Sequence, residues 1–125
     1  RMIRSVDPLL RLSDAGRAIV LTSSLAHSAR AFWAPYAASK AAVEAMVRSW
    51  AQETQSLALR VNAADPGGTR TAMRAQAMPG EDPETLPHPS EIAKRIVPLA
   101  SPDVTETGLI FQAKHNRFVA YRQPE

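Results

Sequence analysis

Two short apolar runs flank a long, unbroken helical stretch, and no other feature constrains the fold as tightly. Ala18-Ile19-Val20-Leu21-Thr22 is continuous, partly β-branched and short. With no polar alternation it predicts a strand buried on both faces, as in a parallel sheet. From Pro35 to about Gln55 nothing breaks a helix, and Val43, Met46, Val47 and Trp50 set an apolar stripe at helical spacing. Ala58 to Ala63 alternates as a second strand, which Asp65-Pro66-Gly67-Gly68 ends abruptly. Upstream, Met2, Ile3, Val6, Leu9, Leu10 and Leu12 recur at roughly helical spacing. Pro8 predicts two short turns or a kinked end there, and Gly16 suits a left-handed cap. Downstream, Thr71 to Met78 reads as a short helix and Pro79 to Pro89 as a mobile loop. Ser90 reads as the N-cap of a helix to about Ala100, and Leu109-Ile110-Phe111 as a third strand. The tail from Lys114 shows no pattern.

Strand, long helix, strand, helix, strand is a βαβαβ unit. The expected fold class is therefore α/β, half of a doubly wound parallel sheet with right-handed crossovers. Length alone, 125 residues, predicts one domain able to bury a core. A composition 45% hydrophobic and 22% charged excludes a largely disordered chain, a collagen and a coiled coil. The chain has no cysteine, which excludes disulfides, thiolate metal sites and thiol catalysis. His27, His88 and His115 share no metal-ligand spacing, so no metal is expected. A net charge of +3 with dispersed arginines predicts a solvated surface and no nucleic-acid partner. There is no apolar run of membrane-spanning length, so no membrane partner is expected. The opening Arg1-Met2-Ile3-Arg4-Ser5 lacks the apolar region of a signal peptide, and the expected location is the cytoplasm.

In doubly wound sheets ligands sit beyond the carboxyl ends of the strands. Here those ends are Thr22-Ser23-Ser24 and Asp65-Pro66-Gly67-Gly68-Thr69. Tyr36 and Lys40 lie four residues apart at the start of the long helix, one turn from each other on one face. A free tyrosine, with a pKa of about 10, exchanges protons poorly near neutrality. An ammonium one turn away favours the phenolate and makes a usable general acid or base. A serine hydroxyl at the strand end, Ser24, can hydrogen-bond a substrate carbonyl oxygen and steady its charge. Each element alone has a plainer reading: Tyr36 and Lys40 as a surface pair, Ser23-Ser24 as a cap, Gly67-Gly68 as a tight turn. Phe32 and Trp33, just ahead of the helix, line a pocket or pack their loop.

The order of these elements resembles the C-terminal half of the short-chain dehydrogenase/reductase family over nearly the whole chain. Ala18 to Ser24 looks like the family's serine-bearing strand, and Tyr36-Ala37-Ala38-Ser39-Lys40 like its Tyr-x-x-x-Lys helix start. Arg60 to Met73, with Pro66-Gly67-Gly68-Thr69-Arg70-Thr71, is similar to its Asn-x-x-x-Pro-Gly-x-x-x-Thr segment. The wording is most like the bacterial YciK-like oxidoreductases. The resemblance implies half of a Rossmann-type sheet, residues 1–125 being a single segment without the amino-terminal dinucleotide-binding half. It implies hydride transfer between NADP or NAD and a small-molecule carbonyl or alcohol, in a homodimer or homotetramer. Tyr36 would move the proton, Lys40 would support it and bind the nicotinamide ribose, and Ser24 would orient the carbonyl. Pro66, Gly67, Gly68, Thr69 and Thr71 would line the nicotinamide end of the cofactor.

Three departures from the family pattern stand out. The Ser24–Tyr36 spacing is one residue shorter than usual, which leaves Ser23 as the alternative serine. Asp65 stands where close relatives often have asparagine, and either disturbs cofactor contacts or caps the turn. No Gly-x-Gly-x-x-Gly run occurs. The alternative function is therefore a truncated, catalytically incompetent fragment acting only as a subunit-association module.

Overall fold

The computed structural model describes residues 1–28 and 30–121. Helix α1 (Met2–Leu12) leads into strand β1 (Arg17–Leu21), a 3-10 turn (Ser24–Ala26) and the long helix α2 (Ala34–Glu53). Strand β2 (Arg60–Asp65), helix α3 (Ala72–Ala77) and a 3-10 turn (Pro83–Thr85) follow. Helix α4 (Pro89–Ile96) runs on as a 3-10 turn (Val97–Ala100) before strands β3 (Ile110–Gln112) and β4 (Arg117–Val119). The sheet order is β1-β2-β3-β4. β1, β2 and β3 are parallel, with Val20 opposite Ala63 and Ala63 opposite Ile110, while β4 is antiparallel to β3. The α/β class and the parallel βαβαβ unit are as expected, and the chain continues into a hairpin strand the sequence did not predict. Its turn puts Asn116 at φ 49, in the left-handed region that asparagine tolerates, and Phe118 packs edge-on against Phe111 at 5.2 Å.

The sheet is covered on both faces. Val47, Trp50 and Ala51 of α2 pack against Ala18, Val61, Ala63 and Ile110, with Ile3, Val6 and Leu10 of α1 alongside. Ile92 and Leu99 pack against Ala64, Phe111 and Ala113 on the other face. Alternate residues of β2 thus serve opposite layers, as the pleat requires. This arrangement corrects one expectation. Both crossovers step the same way across the sheet, yet α2 and α4 lie on opposite faces, so the two connections have opposite hands. The right-handed rule reflects a helix packed directly back between neighbouring strands, which describes the α2 link. The exception falls on the longer connection, residues 66–109.

Four local expectations also change. α1 is one helix with Pro8 inside it, and Ser13, in extended conformation, is its C-cap. Gly16 does not make a left-handed cap. It is needed for space, because a Cβ there would lie 2.6 Å from the Leu10 carbonyl oxygen. The first turn of α4 is capped by His88, whose ring accepts from the Ser90 N–H, so Ser90 lies inside the helix. The segment expected as a mobile loop is tied down on α3. Arg74 pairs with Glu81 through contacts of 2.6 and 2.8 Å, and Arg70 reaches Glu84 and the Leu86 carbonyl.

Candidate active site

The carboxyl ends of β1 and β2 lie side by side, where Thr22 N–H donates to the Ala64 carbonyl at 2.9 Å. Helix α2 starts beside them. Pro35 sits in its first turn, where a missing N–H costs nothing. Tyr36 and Lys40 therefore project from the first two turns, and Lys40 Nζ lies 5.8 Å from the Tyr36 ring centre. The same Nζ donates to the Leu21 carbonyl at 3.1 Å, which anchors the ammonium to the end of β1. One hydrogen bond leaves two of its three N–H donors for another partner. Trp33 meets the Tyr36 ring edge-on at 5.7 Å, and the Arg30 guanidinium stacks over Trp33 at 5.1 Å.

The two serines differ in what their hydroxyls do. Ser23 Oγ caps the 3-10 turn by accepting from Leu25 N–H at 3.3 Å. Ser24 is exposed and its backbone carbonyl takes the local contacts, from His27 N–H and the Ser28 hydroxyl. After β2, Asp65 Oδ1 accepts from Gly67 N–H at 2.9 Å, so this carboxylate caps its own turn. Gly67 sits at φ 72, and a Cβ on it would meet nothing within 4 Å. Its open side is a surface that a ligand can approach closely. Thr69 Oγ1 donates to the Gly67 carbonyl, and the Thr71 hydroxyl accepts from Arg74 N–H as the N-cap of α3.

An open cleft of about 400 Å³ lies at this edge. Thr22, Ser23, Ser24, Glu44, Asp65 and Tyr121 contribute to its wall, whereas Tyr36 and Lys40 do not line it. The structure thus joins Lys40 to the end of β1 through one direct contact, with Tyr36 one helical turn away, and sets Pro66, Gly67 and Gly68 just beyond the neighbouring strand end.

Sequence reading missed Glu44. The buried stripe of α2 is Glu44, Val47, Trp50 and Ala51, shifted from the expected Val43, Met46, Val47 and Trp50, and Met46 is half exposed. A carboxylate at helical spacing from Val47 and Ala51 was the available signal. Glu44, 2% exposed, accepts from Thr22 Oγ1 at 2.6 Å, and its other oxygen lies 2.9 Å from His27 Nε2. Burial, reinforced by the nearby Glu44 charge, pushes the Tyr121 phenol well above its ordinary range.

Among the described residues no helix is long and apolar enough to cross a membrane, and no cluster of three or more metal-ligating side chains occurs.

A family model described as short chain dehydrogenase matches residues 1–82. An uncharacterized oxidoreductase of Escherichia coli K12, YciK, is 47% identical over 117 residues, covering 93% of this chain and 46% of its own length. A short-chain dehydrogenase structure from Shigella flexneri, complexed with NADP, superposes with a TM-score of 0.85 at 44% identity. A second, from Escherichia coli CFT073 and complexed with NADPH, gives 0.84 at 44%. Both matches cover 90% of this chain and 47% of the other. The chain spans about half the length of the curated relative it matches over most of its own residues. It belongs to the short chain dehydrogenase family.

Proposed function

We propose that this chain is the C-terminal, catalytic half of an oxidoreductase domain that interconverts a carbonyl compound and an alcohol with NADP(H) or NAD(H). The observation that carries the reading is Lys40, held to the Leu21 carbonyl beside Tyr36 at the carboxyl edge of a parallel sheet. The nicotinamide nucleotide supplies hydride donor and acceptor chemistry when bound. The residues present fit it. Lys40 has N–H groups left for ribose hydroxyls, and the open side of Gly67, with Pro66, Gly68, Thr69 and Thr71 around it, leaves room for a flat ring.

In reduction, the Tyr36 hydroxyl gives its proton to the substrate oxygen as negative charge develops there. In oxidation it takes the proton back. The Lys40 ammonium stands beside the Tyr36 ring, and its tether to the Leu21 carbonyl holds it there. Ser24 donates to the same substrate oxygen, and its freedom from capping favours it over Ser23. Trp33 fixes the face of the Tyr36 ring. We further read the complete protein as a cytoplasmic homodimer or homotetramer.

The test is consumption of NADPH or NADH by the complete protein across a panel of aldehydes and ketones. Turnover with one nucleotide is expected. Absence of turnover with both, together with no binding of either, overturns the proposal.

A further inference from the structure

Glu44 is nearly fully buried, yet it is ionisable and lies two helical turns beyond Tyr36. A carboxylate is costly to bury unless its oxygens are satisfied. Both are engaged, and by the same short segment. Thr22 Oγ1 donates to one oxygen at 2.6 Å, and His27 Nε2 lies 2.9 Å from the other. Thr22 immediately precedes Ser23-Ser24, and His27 closes the 3-10 turn that Ser24 begins. Glu44 therefore grips the serine-bearing segment at both ends.

The register of the contacts adds to this. Lys40 holds the carbonyl of Leu21, and Glu44, one turn further on, holds the side chain of Thr22. Successive turns of one face of α2 thus hold successive residues at the end of β1. The helix carrying Tyr36 and the segment carrying Ser24 are locked at two points. An exposed loop would hold a serine hydroxyl less closely. A misplacement of about 1 Å in a reacting group costs on the order of a hundredfold in rate.

We propose that Glu44 is a positioning residue, which clamps residues 22–27 onto α2 so that the serine hydroxyl and the Tyr36 phenol address the same substrate oxygen. This rests on the Ser-Tyr-Lys reading above. Glu44 acts through Thr22 and His27.

The experiment compares Glu44→Ala, Thr22→Val, Thr22→Ser and His27→Ala in the complete protein, with Tyr36→Phe in parallel. The readouts are kcat, KM for the carbonyl substrate, NADPH affinity by fluorescence titration, and thermal midpoint. Glu44→Ala is expected to lower kcat about a hundredfold while NADPH affinity holds. Thr22→Val and His27→Ala should give smaller losses of the same kind, and Thr22→Ser should restore kcat, because it returns the hydroxyl. If Glu44→Ala does not fold, the Thr22 and His27 variants remove its two contacts singly and decide the question. Unchanged kcat in those variants, beside a Tyr36→Phe enzyme that is inactive, overturns the clamp and leaves the site reading intact. Loss of kcat only in step with NADPH binding and thermal midpoint, with no recovery in Thr22→Ser, shows a general folding role and also overturns it. A fully active Tyr36→Phe enzyme overturns both readings.

Discussion

Replacing Gly67 with alanine separates a backbone cost from a ligand cost. Gly67 sits at φ 72, and the position a Cβ would take is open space. No clash contributes to the stability change. Holding alanine in the left-handed region costs about 1–2 kcal/mol, partly offset by about 0.4–1 kcal/mol as alanine restricts the unfolded chain. The net destabilisation is about 1 kcal/mol, a fall of a few degrees in the thermal midpoint. Asparagine tolerates this conformation, so Gly67→Asn should recover most of that loss. Both variants place atoms where the proposed cofactor lies, so both should bind NADPH more weakly. Gly16→Ala is the contrast. Its Cβ would lie 2.6 Å from backbone oxygen of Leu10 and 3.1 Å from the Leu59 side chain, an overpacking cost of about 1–3 kcal/mol. Gly16 stands at the amino end of β1, away from the ligand edge, so its variant should keep NADPH affinity when folded. Differential scanning fluorimetry with an NADPH titration reads both quantities. Wild-type NADPH affinity in Gly67→Ala would refute the placement of the cofactor. No stability recovery in Gly67→Asn would refute the backbone argument.

Three further outcomes are expected. Lys40→Met removes the ammonium and its bond to the Leu21 carbonyl. It should reduce turnover by about 10²–10⁴-fold and weaken NADPH binding, measured by steady-state kinetics and titration. Ser24→Ala should lower kcat more than Ser23→Ala, whose main effect should be loss of the turn cap seen in thermal melts. The Arg74 guanidinium beside Glu81 holds that carboxyl below its ordinary 4.5. A lowered folded-state value adds stability above the unfolded value, and that stability is lost as pH falls through the folded value. In urea titrations, Glu81→Gln should therefore flatten the fall in stability below pH 4.5, and an unchanged slope would remove this pair from the acid sensitivity.

The parallel sheet was legible because Ala18 to Thr22 and the long alanine-rich helix leave few alternatives. The carboxyl edge of the sheet followed from strand direction alone, and the shared Tyr36–Lys40 face from helical spacing. What was hidden depended on contacts distant in sequence. The face of α2 turned by about one residue because Glu44 finds Thr22 and His27, residues no helical pattern can foresee. The opposite hands of the two crossovers follow from packing of Ile92 and Leu99 beneath Phe111, not from any local signal. β4 was missed because Arg117 to Val119 is three residues long and draws its stability from β3, although Asn116 before it was a turn signal. Gly16 looked like a cap from its place after a helix, whereas its reason is the Leu10 carbonyl pressed against it.

The most direct measurement is the rate of carbonyl-dependent NADPH oxidation by the complete protein carrying Tyr36→Phe, with NADPH affinity measured on the same sample. The phenyl ring keeps the packing on Trp33 and removes the proton that the chemistry needs. The account predicts a loss of about 10²–10⁴-fold or more in kcat with cofactor binding retained. An enzyme that binds NADPH and turns over at the wild-type rate without the Tyr36 hydroxyl would contradict it.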